Sequence, residues 1–179
     1  EPTQWSDLDG DGFGDEVDGL EGDYCPTVAG ISLNDRIGCL DTDRDGWSDP
    51  DATWLATDGA DAFPTFSSQH ADRDGDGYGD SSTGYRADIC PDIEGTSTED
   101  VFGCLDTDGD GWSDAGDAFP EDATQHVDAD MDGYGDSRNG NLPDSCPGVF
   151  GTSTEQELGC PDSDGDGWGD NLDVFVDDV

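Results

Sequence analysis

Six nine-residue stretches place aspartate at alternate positions, followed by glycine, an aromatic residue and a further aspartate. They are DLDGDGFGD (Asp7 to Asp15), DTDRDGWSD (Asp41 to Asp49), DRDGDGYGD (Asp72 to Asp80), DTDGDGWSD (Asp106 to Asp114), DADMDGYGD (Asp128 to Asp136) and DSDGDGWGD (Asp162 to Asp170). Alternate carboxylates on a tightly curled backbone converge on one point. A hard divalent cation such as Ca2+ takes about six to eight oxygens at about 2.3 to 2.6 Å.

Positions 1, 3 and 5 supply the carboxylates: Asp7, Asp9 and Asp11; Asp41, Asp43 and Asp45; Asp72, Asp74 and Asp76; Asp106, Asp108 and Asp110; Asp128, Asp130 and Asp132; Asp162, Asp164 and Asp166. Glycine at position 6 allows the sharp turn. Position 7 offers a backbone carbonyl, from Phe13, Trp47, Tyr78, Trp112, Tyr134 and Trp168. Position 9 returns another carboxylate or holds a water, through Asp15, Asp49, Asp80, Asp114, Asp136 and Asp170. Aspartate and glycine also abound in turns that bind nothing, but six copies of one pattern favour ligation, with at least six Ca2+ ions expected.

The charge balance agrees. The 179 residues carry 47 acidic side chains against five arginines and have a formal net charge of −42. Six divalent ions would bring that to −30, removing repulsion while cross-linking the chain. The acid is placed: 24 of the 39 aspartates fill positions 1, 3, 5 and 9 of the loops, and no glutamate does. That distribution argues against a halophilic surface, and the charge excludes nucleic acid and anionic membrane surfaces as direct partners. Apolar residues make up 31% and fall in ones and twos. A core of ordinary size cannot come from apolar burial alone, so the metal-free chain is expected to be largely disordered.

Six cysteines form three pairs of identical spacing, Cys25 with Cys39, Cys90 with Cys104 and Cys146 with Cys160. The spacing favours local disulfides and an oxidising, extracellular setting, each closed loop contributing on the order of 3 kcal/mol. Thiolate ligation of zinc is the alternative, though no Cys-x-x-Cys or nearby histidine accompanies the pairs. No apolar run approaches the ~18 residues needed to span a bilayer. With no signal peptide or starting methionine, the chain is expected to be a mature product or an excerpt of something longer.

The elements that position these loops repeat. Asp7, Asp72 and Asp128 mark three units with offsets of 65 and 56 residues, obeyed also by the first cysteine of each pair. The units are 1–66, 67–122 and 123–179, with an insertion at 50–58 in the first. Trp54 and Leu55 in that insertion are expected to pack locally or to touch a partner. The first and second loops of every unit start 34 residues apart with the cysteine segment between them, and that constancy implies a rigid unit. Each cysteine segment has Ser or Thr three residues before an acid and ends in glycine, which predicts one short helical turn. Elsewhere glycine, proline and aspartate are too dense for helices or long strands. No flanking amphipathic helices exist to make EF-hands. The expected fold is an irregular, metal- and disulfide-organised repeat array with short helical turns at most, drawn out as an elongated rod.

The array resembles thrombospondin type 3 repeats, in particular the prokaryotic surface-protein version with elements such as DGWSDAGDAFP and CP…GC. The resemblance covers nearly the whole chain. It implies a chain wound around a line of calcium ions, joined by disulfides and acting as a stiff calcium-dependent spacer or interaction segment. The thirteen-residue gap between paired cysteines and the longer units depart from that pattern, leaving the ion count per repeat open. Further ligands are expected at Asp18, Asp61, Asp117 and Asp173, which follow the loops, and at Asp23, Asp88 and Asp144, each two residues before a cysteine.

Other chemistry is less well served. Paired carboxylates could act as acid and base in glycoside hydrolysis, but that needs a cleft on a packed scaffold. His70 and His126 align with Trp5, which points to packing rather than catalysis. The chain is therefore expected to be non-enzymatic. The loop aromatics are expected to pack against a neighbouring disulfide or loop, with sugar stacking as the alternative. The closing DVFVDDV aligns with DAFPEDA (Asp117 to Ala123), and the opening EPTQW with DATQH (Asp122 to His126). Chains would then follow one another head to tail, with Asp177, Asp178 and Glu1 at the junction. The functional expectation is a secreted, calcium-binding structural rod, a surface stalk or filament subunit. A calcium-dependent adhesion module binding glycan or protein through exposed aromatics is the second, and a calcium buffer or sensor the third.

Overall fold

A computed structural model describes residues 5–177. Glu1 and Asp178, expected at the head-to-tail junction, lie outside the described residues. The chain divides into two compact units, Glu1–Glu94 and Gly95–Val179. Loops 7–15, 41–49 and 72–80 belong to the first and loops 106–114, 128–136 and 162–170 to the second.

Regular secondary structure is nearly absent, as the density of turn residues predicts. Among the described residues the one helical segment is a 3-10 turn, Ala56–Asp58, inside the insertion. Three isolated parallel bridges, Gly14 with Gly22, Gly79 with Ala87 and Pro143 with Gly135, close the segment that follows the first loop of each repeat. Among the described residues no helix is long and apolar enough to cross a membrane.

The helical turn expected in the cysteine segments is not formed. A buried serine organises each segment instead. The Ser32 hydroxyl donates to the Arg36 carbonyl and accepts from the Cys39 N–H at 3.0 Å, and Ser153 does the same with Glu157 and Cys160. Ser97 accepts from Cys104 N–H at 3.0 Å. The serine therefore spends its oxygen on a wide turn rather than on a helix start, as short hydroxyl side chains can. Gly30, Gly95 and Gly151 lie so close to Cys39, Cys104 and Cys160 that a Cβ would sit within 1.9 to 2.2 Å of that backbone.

The cysteine segment also ties two loops together. Gly30 N–H donates to Asp11 in the first loop at 3.0 Å, and Leu33 and Asn34 N–H both reach the Gly46 carbonyl in the second at 2.8 Å. In the other unit Gly151 bonds Asp132, while Thr154 and Glu155 share the Gly167 carbonyl. These links account for the constant separation of the loops. Cys25 and Cys39 are disulfide-bonded, as are Cys146 and Cys160, with Cα atoms 5.0 and 5.1 Å apart. Cys90 and Cys104 are each disulfide-bonded too, and no cysteine is free, so zinc thiolate ligation is excluded.

The interior is polar. Cys39, Ala60, Cys104 and Cys160 are the buried hydrophobic residues among those described, whereas Asp23, Asp61, Ser32, Ser48, Ser97, Ser113, Ser153, Gln69 and Gln125 are all at most 2% exposed. In the insertion Trp54 packs against Gly59 and donates its indole N–H to Asp35 at 3.2 Å, so it packs locally, while Leu55 is exposed.

Candidate metal centres

Each loop is drawn around its first aspartate. The Asp7 carboxylate accepts from Gly10 N–H at 2.7 Å and Gly12 N–H at 3.2 Å. The same two bonds, to positions 4 and 6, recur on Asp41, Asp72, Asp106, Asp128 and Asp162. Both positions need positive φ. Position 6 is always glycine, but position 4 is Arg44 in the second loop (φ 69°) and Met131 in the fifth (φ 65°). The third and fifth aspartates each accept from the N–H two residues on, Asp9 from Asp11 at 3.3 Å and Asp11 from Phe13 at 2.9 Å, with counterparts in the other loops.

The result is a convergent triad. Oxygens of Asp7, Asp9 and Asp11 lie within 4.8 Å of one another, and so do those of Asp41, Asp43 and Asp45; Asp72, Asp74 and Asp76; Asp106, Asp108 and Asp110; and Asp128, Asp130 and Asp132. Asp162, Asp164 and Asp166 share the loop's hydrogen bonds. Charges 4 Å apart repel by about 1 kcal/mol in water and about 4 kcal/mol near a protein surface. Among the described residues, no backbone hydrogen bond ends on the carbonyls of Phe13, Trp47, Trp112, Tyr134 or Trp168.

Position 9 acts chiefly as a clasp. Its N–H bonds the carbonyl just before the loop in all six copies, for example Asp15 to Ser6 at 3.0 Å and Asp49 to Leu40 at 2.7 Å. Its carboxylate turns back as well: Asp49 holds the N–H and hydroxyl of Thr42, Asp114 those of Thr107 and Asp170 those of Ser163. Asp15 holds Ser6 and Leu8, and Asp80 the N–H of Arg73. Asp136 differs, with a buried Oδ1 that has no partner.

In five of the six loops a carboxylate from outside the loop stands beside the triad. Asp23, Asp61, Asp88, Asp117, Asp144 and Asp173 each accept through Oδ1 from the N–H two residues on, at 2.6 to 2.7 Å. In the first five the other oxygen, Oδ2, is buried without a hydrogen-bond partner, as are Oδ2 of Asp9, Asp43, Asp74 and Asp108. Burial, reinforced by nearby loop carboxylates, raises the affinity of these five outer groups for a proton: Asp23 by Asp11 and Asp9, Asp88 by Asp76 and Asp74, Asp117 by Asp110 and Asp108, Asp144 by Asp132 and Asp130. Asp61, beside Asp45 and Asp43, is pushed up to about 7. Buried anionic oxygens without donors are costly unless a cation meets them, and an all-oxygen set suits a hard ion. Asp18, also expected as a ligand of the first loop, is not among the buried carboxylates. It is exposed, and Asp23 holds the buried place.

Two of the three loop tryptophans stack on a histidine that stands just before a neighbouring loop. Trp47 lies on His70 with centroids 4.4 Å apart and planes 5° from parallel, and Trp112 on His126 at 4.6 Å and 11°. Sequence reasoning missed the buried Gln69 and Gln125, whose amides hold the turns that lead to Asp88 and Asp144. It also missed the Asp35–Ser48 and Asp100–Ser113 pairs that brace the second loops. The SQH, TQH and TQW triplets carried the glutamine signal, since the residue before the aligned ring is Gln in all three.

No protein-family model matches the chain, and no curated protein matches it either.

Proposed function

We propose that this chain is an extracellular calcium-binding structural protein. Its repeats form a rigid rod, held by Ca2+ and disulfides, that serves as a surface stalk or as a filament subunit joined head to tail. The observation that carries the reading is the set of buried, unpartnered carboxylate oxygens of Asp23, Asp61, Asp88, Asp117 and Asp144 beside the loop triads. One ion per loop would meet three loop carboxylates, the position-7 carbonyl and the outer aspartate, with waters completing the shell. The disulfides fit an oxidising compartment, and the likeness to thrombospondin type 3 repeats points the same way. With the carboxylates committed to metal, no catalytic role is assigned to them.

The test is calorimetric titration of Ca2+ into the oxidised, metal-stripped chain, with small-angle X-ray scattering before and after. About six ions bound, with conversion of a swollen coil into a thin rod, supports the proposal. Scattering indifferent to calcium and chelator overturns it.

One observation favours adhesion as a second role. Phe66 and Tyr85 are exposed and stacked, with centroids 5.1 Å apart, and the Arg86 guanidinium lies 5.7 Å from the Tyr85 ring. A glycan that docks there would perturb Tyr85 at constant calcium, and Tyr85→Ala would abolish the response.

A further inference from the structure

Two junctions inside the chain share one construction. Trp47 stacks on His70 while Ala62 N–H donates to the His70 carbonyl at 2.9 Å. Trp112 stacks on His126 while Ala118 N–H donates to the His126 carbonyl at 3.2 Å. Each junction thus has a giving side, an indole face with an N–H six or more residues later, and a receiving side, a flat ring with its own carbonyl.

The chain carries one more copy of each side. Trp168 and Val174 stand where Trp112 and Ala118 stand, 56 residues on. Trp168 is 38% exposed and Val174 83%, and no backbone hydrogen bond from Val174 N–H is found among the described residues. Trp5 stands 65 residues before His70 and is 82% exposed. A large flat ring offers substantial apolar area, and its face prefers another ring.

We propose that these are the two halves of a third junction, made between copies: Trp168 and Val174 of one chain are the giving side for Trp5 of a second chain, indole on indole, with Val174 N–H donating to the Trp5 carbonyl. Each copy has one half of each kind, so the contact is heterologous and need not close. This rests on the head-to-tail part of the proposed function and supplies its contact.

The oxidised, calcium-loaded chain is followed by sedimentation velocity over a concentration series. The mean mass is expected to rise with concentration. Trp5→Ala or Trp168→Ala should move that rise at least about tenfold higher in concentration, while Trp5→His, which installs the ring of the other two junctions, should preserve it. A tandem chain in which Asp177 runs directly into Glu1 of a second copy keeps the Trp112-to-His126 spacing and raises the effective concentration of the two halves. It should show a far-UV exciton couplet between the indoles, lost on Trp5→Ala in the second copy alone. A single chain that stays monomeric overturns the proposal, as does a tandem lacking the couplet or Trp168 emission that follows added saccharide but not protein concentration. Calcium uptake by the same samples separates the two ideas. Normal uptake without association sinks this contact alone, and absent uptake sinks the calcium reading and the contact with it.

Discussion

The side-chain amide of Gln69 brackets Ser81, its Oε1 accepting from the Ser81 N–H at 2.9 Å and its Nε2 donating to the Ser81 carbonyl at 3.1 Å. It imitates one rung of a β-ladder with a side chain, and Nε2 also reaches the Tyr85 carbonyl at 3.3 Å. Gln125 makes the same bracket on Ser137 and reaches Asn141. Both glutamines are 1% exposed. The turn they hold is the path by which Asp88 and Asp144 come back to their loops.

Gln69→Ala should therefore act on calcium at a distance. It strands one N–H and two carbonyls, at about 1 kcal/mol or more each. Calorimetry should find one weakened site, the loop from Asp72, with the other five unchanged. Gln69→Glu should be worse, because it replaces the donating NH2 with charge beside two carbonyl oxygens.

Asp61 sets a pH dependence for the second loop. Burial first, then Asp45, Asp43 and Asp49, raise it from 3.8 to about 7. The folded value lies above the unfolded one, so wherever the metal-free chain keeps the turn that buries Asp61 it holds a proton here that the unfolded chain releases. That contribution is fully present below about pH 4 and is lost as pH rises through about 7. Calcium needs the carboxylate ionised and must displace the proton. Affinity at this loop should fall about tenfold per pH unit below 7, with close to one proton released per ion bound. Titrations in buffers of different ionisation enthalpy measure that release, and Asp61→Asn should abolish it along with most of the affinity.

The loop triads were legible because ligation fixes both residue type and spacing. The outer carboxylates were only half legible. Asp117 and Asp173 lie close behind their loops, and Asp23, Asp88 and Asp144 beside a cysteine, but choosing Asp23 over Asp18 takes knowledge of which way the chain turns, and the parallel bridge between Gly14 and Gly22 decides it. Position 9 satisfied the ligand pattern while serving as clasp, since a carboxylate that accepts from Thr42 is written the same way as one that meets a cation. The serine turns misled for a related reason. A hydroxyl before an acid signals a helix start only if its oxygen is free to cap one, and Ser32 is committed to Arg36 and Cys39.

Position 4 offers a stabilising change. Four loops have glycine there, whereas Arg44 and Met131 hold φ of 69° and 65°. A side chain in that region costs roughly 1 to 2 kcal/mol, partly offset by the entropy that glycine loses on folding. Arg44→Gly and Met131→Gly should each stabilise the calcium-loaded chain by about 0.5 to 1 kcal/mol, read as a higher melting temperature at fixed free calcium.

Replacing both Cys25 and Cys39 with serine should weaken two loops at once. The segment they close bonds Asp11 through Gly30 and the Gly46 carbonyl through Leu33 and Asn34. A loss on the order of 2 to 5 kcal/mol of stability is expected. Calcium titration should show it at the loops from Asp7 and Asp41, with the loops of the second unit unaffected.

An interior of aspartate, serine and glutamine has a thermal consequence. The heat-capacity change on unfolding comes from apolar surface newly wetted and is reduced by polar surface. Cys39, Ala60, Cys104 and Cys160 are the buried hydrophobic residues among those described, so that change should fall well below the usual ~12 to 15 cal/mol/K per residue. A small heat-capacity change flattens the curve of stability against temperature, pushing cold and heat unfolding far apart. On the proposed calcium reading, the calcium activity of the surroundings, more than their warmth, would decide whether such a molecule is folded.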